Sequence, residues 1–188
     1  MHKNNSLKHI KTDAINKNVK ATFSFMFSHP AHLISLGFGS GLSSVMPGTF
    51  GTLFGWASFI FLFPYLSDFW GTIVILLSFV IGIFITQYTA KKLNTSDPSC
   101  VVWDEIVAIW LVFLITCPSH FFSQLLVFVA FRFFDIIKPP PIRFFDRKLR
   151  GGFGIMFDDI VAAFFTLLAI AFLKFFLAKS GLFPEFIF

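Results

Sequence analysis

Residues 69–90 have the sequence FWGTIVILLSFVIGIFITQYTA, a run of 22 positions without a charged side chain, which Lys91 and Lys92 end. A helix needs about 20 mostly apolar residues to cross the hydrocarbon core of a bilayer. The run therefore predicts a membrane-spanning helix. Residues 49–66 and 160–177 predict two more, and Lys174 in the second can extend its ammonium group to the membrane surface.

The composition of the whole chain agrees with a membrane protein. Hydrophobic residues fill 56% of the 188 positions, Phe alone occupies 31, and charged residues make up only 13%, against about 25% in soluble domains. So few polar side chains could not cover the surface of a water-soluble globule. We therefore expect a small all-α integral membrane protein.

The charge balance and the cysteines exclude other classes of protein. The net charge is +5, but the basic residues form no stripe along an exposed polar surface, so no nucleic-acid partner is expected. In a membrane protein such an excess sets the orientation instead, with Lys and Arg on the cytoplasmic side. Cys100 and Cys117 have neither metal-ligand nor disulfide spacing.

The distribution of charge divides the chain into three regions. We expect residues 1–28 to form a basic polar amino-terminal arm, which is not a signal peptide because no compact apolar core with a cleavage site follows it. Residues 29–180 are expected to form a single membrane domain. Residues 181–188 are expected to form a short apolar tail.

Residues 106–131 also lack charge, but Cys117-Pro118-Ser119-His120 interrupts them with turn residues. One interpretation is a single kinked spanning helix. The other is a short helical hairpin, whose arms are too short to cross about 30 Å of hydrocarbon. A straight helix would separate Asp104 and Asp135 by roughly 46 Å, although basic residues flank both ends of the segment. The flanking charges favour the hairpin, with both ends at the cytoplasmic face.

The acidic residues are few and stand beside apolar helices. Six of the ten form short clusters there: Asp104, Glu105, Asp135, Asp146, Asp158 and Asp159. Carboxylates at such positions are costly unless they are paired, hydrogen-bonded or bound to a cation. Clusters from separate segments could converge on a hard divalent ion, which prefers oxygen ligands. The alternative is local, because Asp158 and Asp159 could cap a helix that begins at Ile160, and Arg143 could pair with Asp146.

Basic residues interleave with these acids. Arg132, Asp135 and Lys138 recur at every third position, so they share one side of a helix, which three prolines then end. Arg143 follows those prolines. The basic loop over residues 147–150 is better suited to holding anionic lipid.

Two segments are rich in glycine. Residues 37–51 contain five glycines ahead of a predicted helix, and such a turn can form an anion-binding concavity. The alternative is close helix packing, and the Gly-Lys-Ser/Thr ending of a Walker loop is absent. Residues 151–154, Gly-Gly-Phe-Gly, predict a flexible turn. Acids for a metal, cations for anionic oxygens and a flexible turn together indicate phosphoryl chemistry.

Four motifs together resemble one family. They are GFGSGLSSVMPGTFGT (37–52), VVWDEIVAIW (101–110), FRFFDIIKPPPIRFFDR (131–147) and GGFGIMFDDIVAA (151–163). In their order and spacing the chain resembles phosphatidylglycerophosphatase A over nearly all of its length after residue 28. Ser44 stands where the family motif is expected to have Pro.

The resemblance implies a Mg²⁺-dependent phosphatase that converts phosphatidylglycerophosphate to phosphatidylglycerol. It further implies a multi-pass protein of the bacterial inner membrane, with the active site facing the cytoplasm, and it leaves the oligomeric state open. The metal ligands expected are Asp104, Glu105, Asp135, Asp158 and Asp159. The phosphate-binding residues expected are Arg132, Lys138, Arg143, Gly39, Ser40, Gly41 and Thr49. The catalytic residues expected are Asp104, Glu105, Asp158 and Arg132, with Glu105 or Asp158 as general base.

Two other functions fit part of the sequence. A non-catalytic scaffold that binds anionic lipid would need only the basic loop. A small ion-transporter subunit would place its acids in the middle of a span, whereas these acids stand at segment ends.

Overall fold

The computed structural model describes residues 20–138 and 151–180, and within these ranges it contains helices and no strand. We number the α-helices in chain order. They are α1 (Phe23–Phe27), α2 (Pro30–Ser35), α3 (Pro47–Leu62), α4 (Asp68–Leu93), α5 (Trp103–Thr116), α6 (Phe121–Ile137) and α7 (Gly151–Lys179). Short 3₁₀ helices occupy Gly37–Leu42 and Phe63–Tyr65. The prediction of an all-α fold is confirmed.

Within the described residues, α4 and α7 are long and apolar enough to cross a membrane, with 26 and 29 residues. Helix α3, where residues 49–66 predicted a third span, has only 16 residues and is not among these candidates. Helices α4 and α7 both expose large apolar side chains along their length, among them Leu76, Phe84, Phe164 and Phe172. An apolar surface of this extent is stable against lipid but not against water. The spanning helix predicted over 69–90 is α4, which ends at Asn94 in the left-handed conformation typical of a helix C-terminus.

The start of α7 differs from the sequence-based expectation. The helix begins at Gly151 rather than at Ile160, so residues 151–154 form its first turn and not a flexible loop. Gly152 explains the difference, because a Cβ atom there would overlap with the carbonyl oxygen of Ile83 in α4. Asp158 therefore lies two turns inside the helix, and the interpretation that it caps the N-terminus is wrong.

The segment 106–131 folds as a helical hairpin. Cys117, at φ 44°, ends α5, and α6 begins after His120, whose side chain and that of Ser123 form a reciprocal cap. The two arms measure roughly 21 and 26 Å at 1.5 Å per residue. Asp104 and Asp135, at the open ends of the arms, line one pocket. The alternative of a single kinked spanning helix is therefore wrong.

Helix α5 is the centre of the molecule. Its residues Ile106–Ile109 are completely buried, and it packs against α3, α4 and α7. Glycines of α3 make the first of these contacts close, since a Cβ atom at Gly55 would lie 2.6 Å from Cγ2 of Ile109. The Gly55 carbonyl oxygen also accepts a hydrogen bond of 2.9 Å from the Trp110 indole. This packing fixes the first turn of α5, which carries two of the acids, against the surrounding helices.

Candidate active site

Acids from three helices meet in a pocket of about 370 Å³ at one end of the bundle. Helix α5 contributes acids from its first turn, α6 from its last turn and α7 from its third turn. The described residues that line the pocket are Met46, Pro47, Gly48, Asp97, Ser99, Val101, Asp104, Glu105, Arg132, Asp135, Ile136, Lys138, Asp158 and Asp159. All five acids predicted to bind metal are among them.

Three of these acids form the tightest group. Asp104, Asp158 and Asp159 each place a carboxylate oxygen so that the three atoms lie within 4.8 Å of one another. The two aspartates of α7 are 7% and 3% exposed, which removes most of the water that could separate their charges. Oxygen ligands at this spacing and burial suit a hard divalent cation. We call these three residues the aspartate triad.

Arg132 lies on the other side of the pocket. Its Nη1 atom is 2.6 Å from Oδ2 of Asp135 and 3.8 Å from Oε1 of Glu105. The same nitrogen donates a hydrogen bond of 3.2 Å to the hydroxyl of Thr52, which itself donates to the carbonyl oxygen of Gly48 at 2.9 Å. Arg132 thus links α3, α5 and α6 at one point. Its positive charge balances Glu105 and Asp135 rather than the aspartate triad.

Lys138 forms an ion pair with Asp158 of the triad. It is the C-terminal cap residue of α6 and has a positive φ of 44°. The third predicted phosphate-binding cation, Arg143, lies outside the described residues, as does Asp146. The described part of the site therefore supplies the cations Arg132 and Lys138.

Burial alters the acid–base properties of the first turn of α5, which lies outside the two spanning helices. Desolvation raises the pKa of Asp104 well above its usual range, and the neighbouring Glu105 raises it further. Desolvation also raises the pKa of Glu105, and the charges of Asp159 and Asp135 add to that effect. Two negative groups held this close to others are stabilised only by added positive charge or by protons.

Several buried oxygens lack a partner within the described residues. Oδ1 of Asp104, Oε2 of Glu105 and Oδ2 of Asp159 are buried there without a hydrogen bond. A buried acceptor left unsatisfied costs about 1–3 kcal/mol. A cation bound by the aspartate triad would satisfy the oxygens of Asp104 and Asp159, so the triad fits the metal that the sequence predicted.

The glycine-rich segment reaches the pocket at a different point from the one predicted. Of its described residues, Met46, Pro47 and Gly48 line the pocket, whereas Gly39, Ser40 and Gly41 do not. The Ser40 hydroxyl instead donates to the carbonyl oxygen of Gly37 at 2.8 Å. Thr49 follows in the first turn of α3, and its hydroxyl is buried.

Sequence reasoning missed Gly48 as a site residue. A Cβ atom there would overlap with Oε1 of Glu105 and lie 3.1 Å from Nη2 of Arg132. Glycine therefore lets α3 approach the charged groups without displacing the side chains of Glu105 and Arg132. The only signal in the sequence was its membership of a glycine cluster, which packing alone could explain.

Asp97 and Ser99 were also missed. Both belong to the loop between α4 and α5, and both line the pocket. The sequence offers no pattern that distinguishes them from ordinary loop residues beside Pro98.

Comparison with known proteins gives a consistent result. The family model described as Phosphatidylglycerophosphatase A matches residues 33–174. The chain is 41% identical over 143 residues to Phosphatidylglycerophosphatase A of Haemophilus influenzae, which covers 76% of this chain and 87% of the relative. It is 42% identical over 136 residues to the Escherichia coli protein of the same name, covering 72% and 78%.

A third relative has a different name. A protein of Bacteroides thetaiotaomicron named Putative phosphatidylinositol-3-phosphatase is 36% identical over 148 residues, which cover 74% of this chain and 90% of the relative. No solved structure matches the chain.

Proposed function

The chain belongs to the phosphatidylglycerophosphatase A family of phosphatases, and on that basis we propose that it hydrolyses phosphatidylglycerophosphate to phosphatidylglycerol and phosphate. The observation that carries the proposal is the aspartate triad, which lies in a polar pocket at one end of two helices long enough to span a membrane. A phosphatase of a membrane lipid needs a polar site at the depth of the headgroups.

The aspartate triad would hold Mg²⁺, with Glu105 and Asp135 as further oxygen ligands, either directly or through water. Bound there, Mg²⁺ would neutralise charge on the phosphoryl oxygens and would lower the pKa of the attacking water. Buried carboxylates with unsatisfied oxygens support this assignment.

The residues of the chain itself supply positioning and proton transfer. Lys138 binds the substrate phosphate from the Asp158 side, and Arg143 is proposed to bind it as well. Arg132 holds Glu105 and Asp135 in place and presents its remaining N–H groups to the phosphate. Either Glu105 or Asp158 accepts the proton of the water that attacks phosphorus and returns it to the glycerol oxygen as the bond from that oxygen to phosphorus breaks, so that phosphatidylglycerol leaves as an alcohol.

We further propose that the pocket faces the cytoplasm from a bacterial inner membrane. Lys91 and Lys92 end α4 at the same end of the molecule as the pocket, since Gln87 of α4 contacts Gly151 of α7. Clustered lysines at that end favour the cytoplasmic side. The exposed phenylalanines of α7 would then lie beside the acyl chains of the substrate, which need not leave the bilayer.

Phosphate release from two lipids tests the proposal. Purified full-length protein in mixed detergent–lipid micelles is given phosphatidylglycerophosphate or phosphatidylinositol 3-phosphate, and the lipid product is identified by mass spectrometry. We expect faster release from the first lipid, with phosphatidylglycerol as product. Faster release from the phosphoinositide would assign the substrate named for the Bacteroides relative instead.

A further inference from the structure

The loop between α4 and α5 forms the outer rim of the pocket. Asp97 and Ser99 stand on this rim with exposed side chains, whereas Asp158 and Asp159 lie at the buried end. The reaction proposed above assigns no task to either rim residue. The pocket therefore has a deep end, where a cation on the aspartate triad would bind a phosphate, and an exposed rim outside the triad.

Hydrogen bonds fix the path of the rim loop. Pro98, between the two rim residues, is buried, and its carbonyl oxygen accepts a hydrogen bond of 2.9 Å from the amide of Val101. The amide of Val102 donates to the carbonyl oxygen of Ser35 in α2, also at 2.9 Å. The side chains on the rim consequently occupy defined positions relative to the deep end.

Gly41 adds a second constraint. A Cβ atom at this position would overlap with the carbonyl oxygen of Cys100, so only glycine lets the 3₁₀ helix support the loop from behind. Gly41 was predicted to bind phosphate, but its observed contact is with the rim loop. A loop held from two sides can recognise a ligand without first becoming ordered.

The chemistry of the rim suits a hydroxyl group rather than a phosphate. A carboxylate repels a phosphate but accepts a hydrogen bond from an alcohol, and a serine hydroxyl can donate or accept. In phosphatidylglycerophosphate the leaving group is a glycerol that carries one free hydroxyl. Phosphatidylinositol 3-phosphate also carries its phosphate on a polyol, whereas phosphatidic acid has no free hydroxyl.

The volume of the pocket agrees with a headgroup in which a polyol carries the phosphate. Small-molecule sites usually enclose about 300–1,000 Å³, and this pocket of about 370 Å³ suits a phosphorylated polyol with the acyl chains left outside. Building on the proposed function, we propose that Asp97 and Ser99 recognise the free hydroxyl of the headgroup polyol and make the enzyme selective for lipids in which a polyol carries the phosphate.

A substrate that lacks only this hydroxyl gives the direct test. The probe is the deoxy analogue of phosphatidylglycerophosphate in which propane-1,3-diol replaces glycerol. The wild-type protein should hydrolyse the analogue with a kcat/KM at least about tenfold lower, because a site built to bind a hydroxyl rejects a ligand without it. In Asp97→Ala the two substrates should become equal within about twofold, since only the native substrate loses a contact.

Matched variants separate recognition from other roles. Ser99→Ala should also lower the preference, in kcat/KM, for the native substrate over the deoxy analogue, but by a smaller factor than Asp97→Ala. Ser96→Ala, in the same loop but not among the described residues that line the pocket, should leave the tenfold preference intact. Equal losses on both substrates in Asp97→Ala would overturn the proposal and assign Asp97 to the cation or phosphate.

The same measurements distinguish a failure of the proposed function from a failure of the proposed hydroxyl recognition. A wild-type protein inactive on phosphatidylglycerophosphate would remove both proposals. An active wild-type protein that does not distinguish the two substrates would remove only the rim as the element that recognises the hydroxyl.

Discussion

The charges of the pocket do not balance at the level of single residues. Among the described residues that line it, six carboxyl groups face two basic side chains, Arg132 and Lys138. Arg132 lies between Glu105 and Asp135, and Lys138 contacts Asp158. Buried negative charge in such excess requires a cation or protonation. The excess is largest at the aspartate triad, which is the part of the pocket that we assign to the metal.

Replacement of one triad oxygen tests this assignment. Asp158→Asn should lower kcat/KM by at least the roughly 10–100-fold that follows loss of a group supporting a metal ligand, while membrane insertion and folding stay nearly intact. Asn preserves size and one acceptor but not the charge that a hard cation needs. Steady-state kinetics at saturating Mg²⁺ decide the outcome. The matched control is Asp68→Asn, at the start of α4 outside the pocket, and an equally small effect of both would remove Asp158 from the site.

Arg132 should not be replaceable by lysine. Its side chain is 12% exposed, and one nitrogen, Nη1, contacts Asp135, Glu105 and Thr52. In the proposed function the other N–H groups bind the phosphate, and an ammonium group has no second nitrogen to make that contact at the same time. Arg132→Lys should reduce turnover at least tenfold, equivalent to about 1.4 kcal/mol of transition-state stabilisation. Lys91→Ala, at an exposed position outside the pocket, should have little effect. Near-normal turnover in Arg132→Lys would mean that a single positive charge is enough.

The sequence allowed the identity of the acids to be predicted but not their pairing. Charges are rare in this chain, so an acid beside an apolar helix is conspicuous. Which acids pair with Arg132 and which with Lys138 depends on contacts between α3, α6 and α7, such as the hydrogen bond from Arg132 to Thr52. No local pattern encodes contacts between positions so far apart. Gly48 was missed for the same reason, because its neighbours Glu105 and Arg132 come from other helices.

At the scale of helices, the contact between α4 and α7 sets the position of the aspartates. Gly152 packs against the backbone of Ile83, and a Cβ atom at this position would lie 2.8 Å from Cβ of Gln87. The next two turns of α7 carry Asp158 and Asp159 into the pocket. A shift of α7 along α4 would therefore displace two of the three oxygens of the triad.

Overpacking of this contact should weaken both stability and activity. Gly152→Ala should destabilise the protein by about 1–3 kcal/mol, seen as a lower midpoint of thermal unfolding in detergent, together with reduced turnover. The control Ala171→Leu adds more volume on the same helix, but at an exposed position, and should change neither quantity. An unchanged unfolding midpoint for Gly152→Ala would show that the helices are not held at this contact.

The same contact explains why the start of α7 could not be predicted. Glycine costs about 1 kcal/mol in a helix relative to alanine, so a segment with three glycines in four residues favours a turn. Packing against α4 reverses that local preference. The hairpin, by contrast, could be anticipated, because Pro118 and the charges at both ends of the segment act locally.

At the scale of the whole molecule, the exposed apolar surface defines a membrane protein with a polar site at one end. Exposed aromatic residues follow α4 and α7, whereas the acids gather at the end marked by Lys91 and Lys92. We propose that residues 29–180 form one domain, flanked by the arm 1–28 and the tail 181–188. The composition was sufficient to predict this class, since it depends on the average over the chain.

Thiol labelling of intact cells tests the orientation. In a background that lacks Cys100 and Cys117, a cysteine introduced by Ser67→Cys, in the exposed connection between α3 and α4, should react with an impermeant reagent from outside. A cysteine introduced by Ser96→Cys, in the rim loop, should react only after permeabilisation, because the positive-inside rule places that end in the cytoplasm. Labelling of Ser96→Cys in intact cells would reverse the orientation.

The most direct test of the account is a Mg²⁺ titration of phosphate release from phosphatidylglycerophosphate by chelator-treated, purified protein. We predict no release above background without the ion and a saturable recovery as Mg²⁺ is added, because the carboxylates of the pocket need the cation to accept a phosphate. Undiminished phosphate release in the presence of excess chelator would contradict the account, since the aspartate triad would then have no metal to hold.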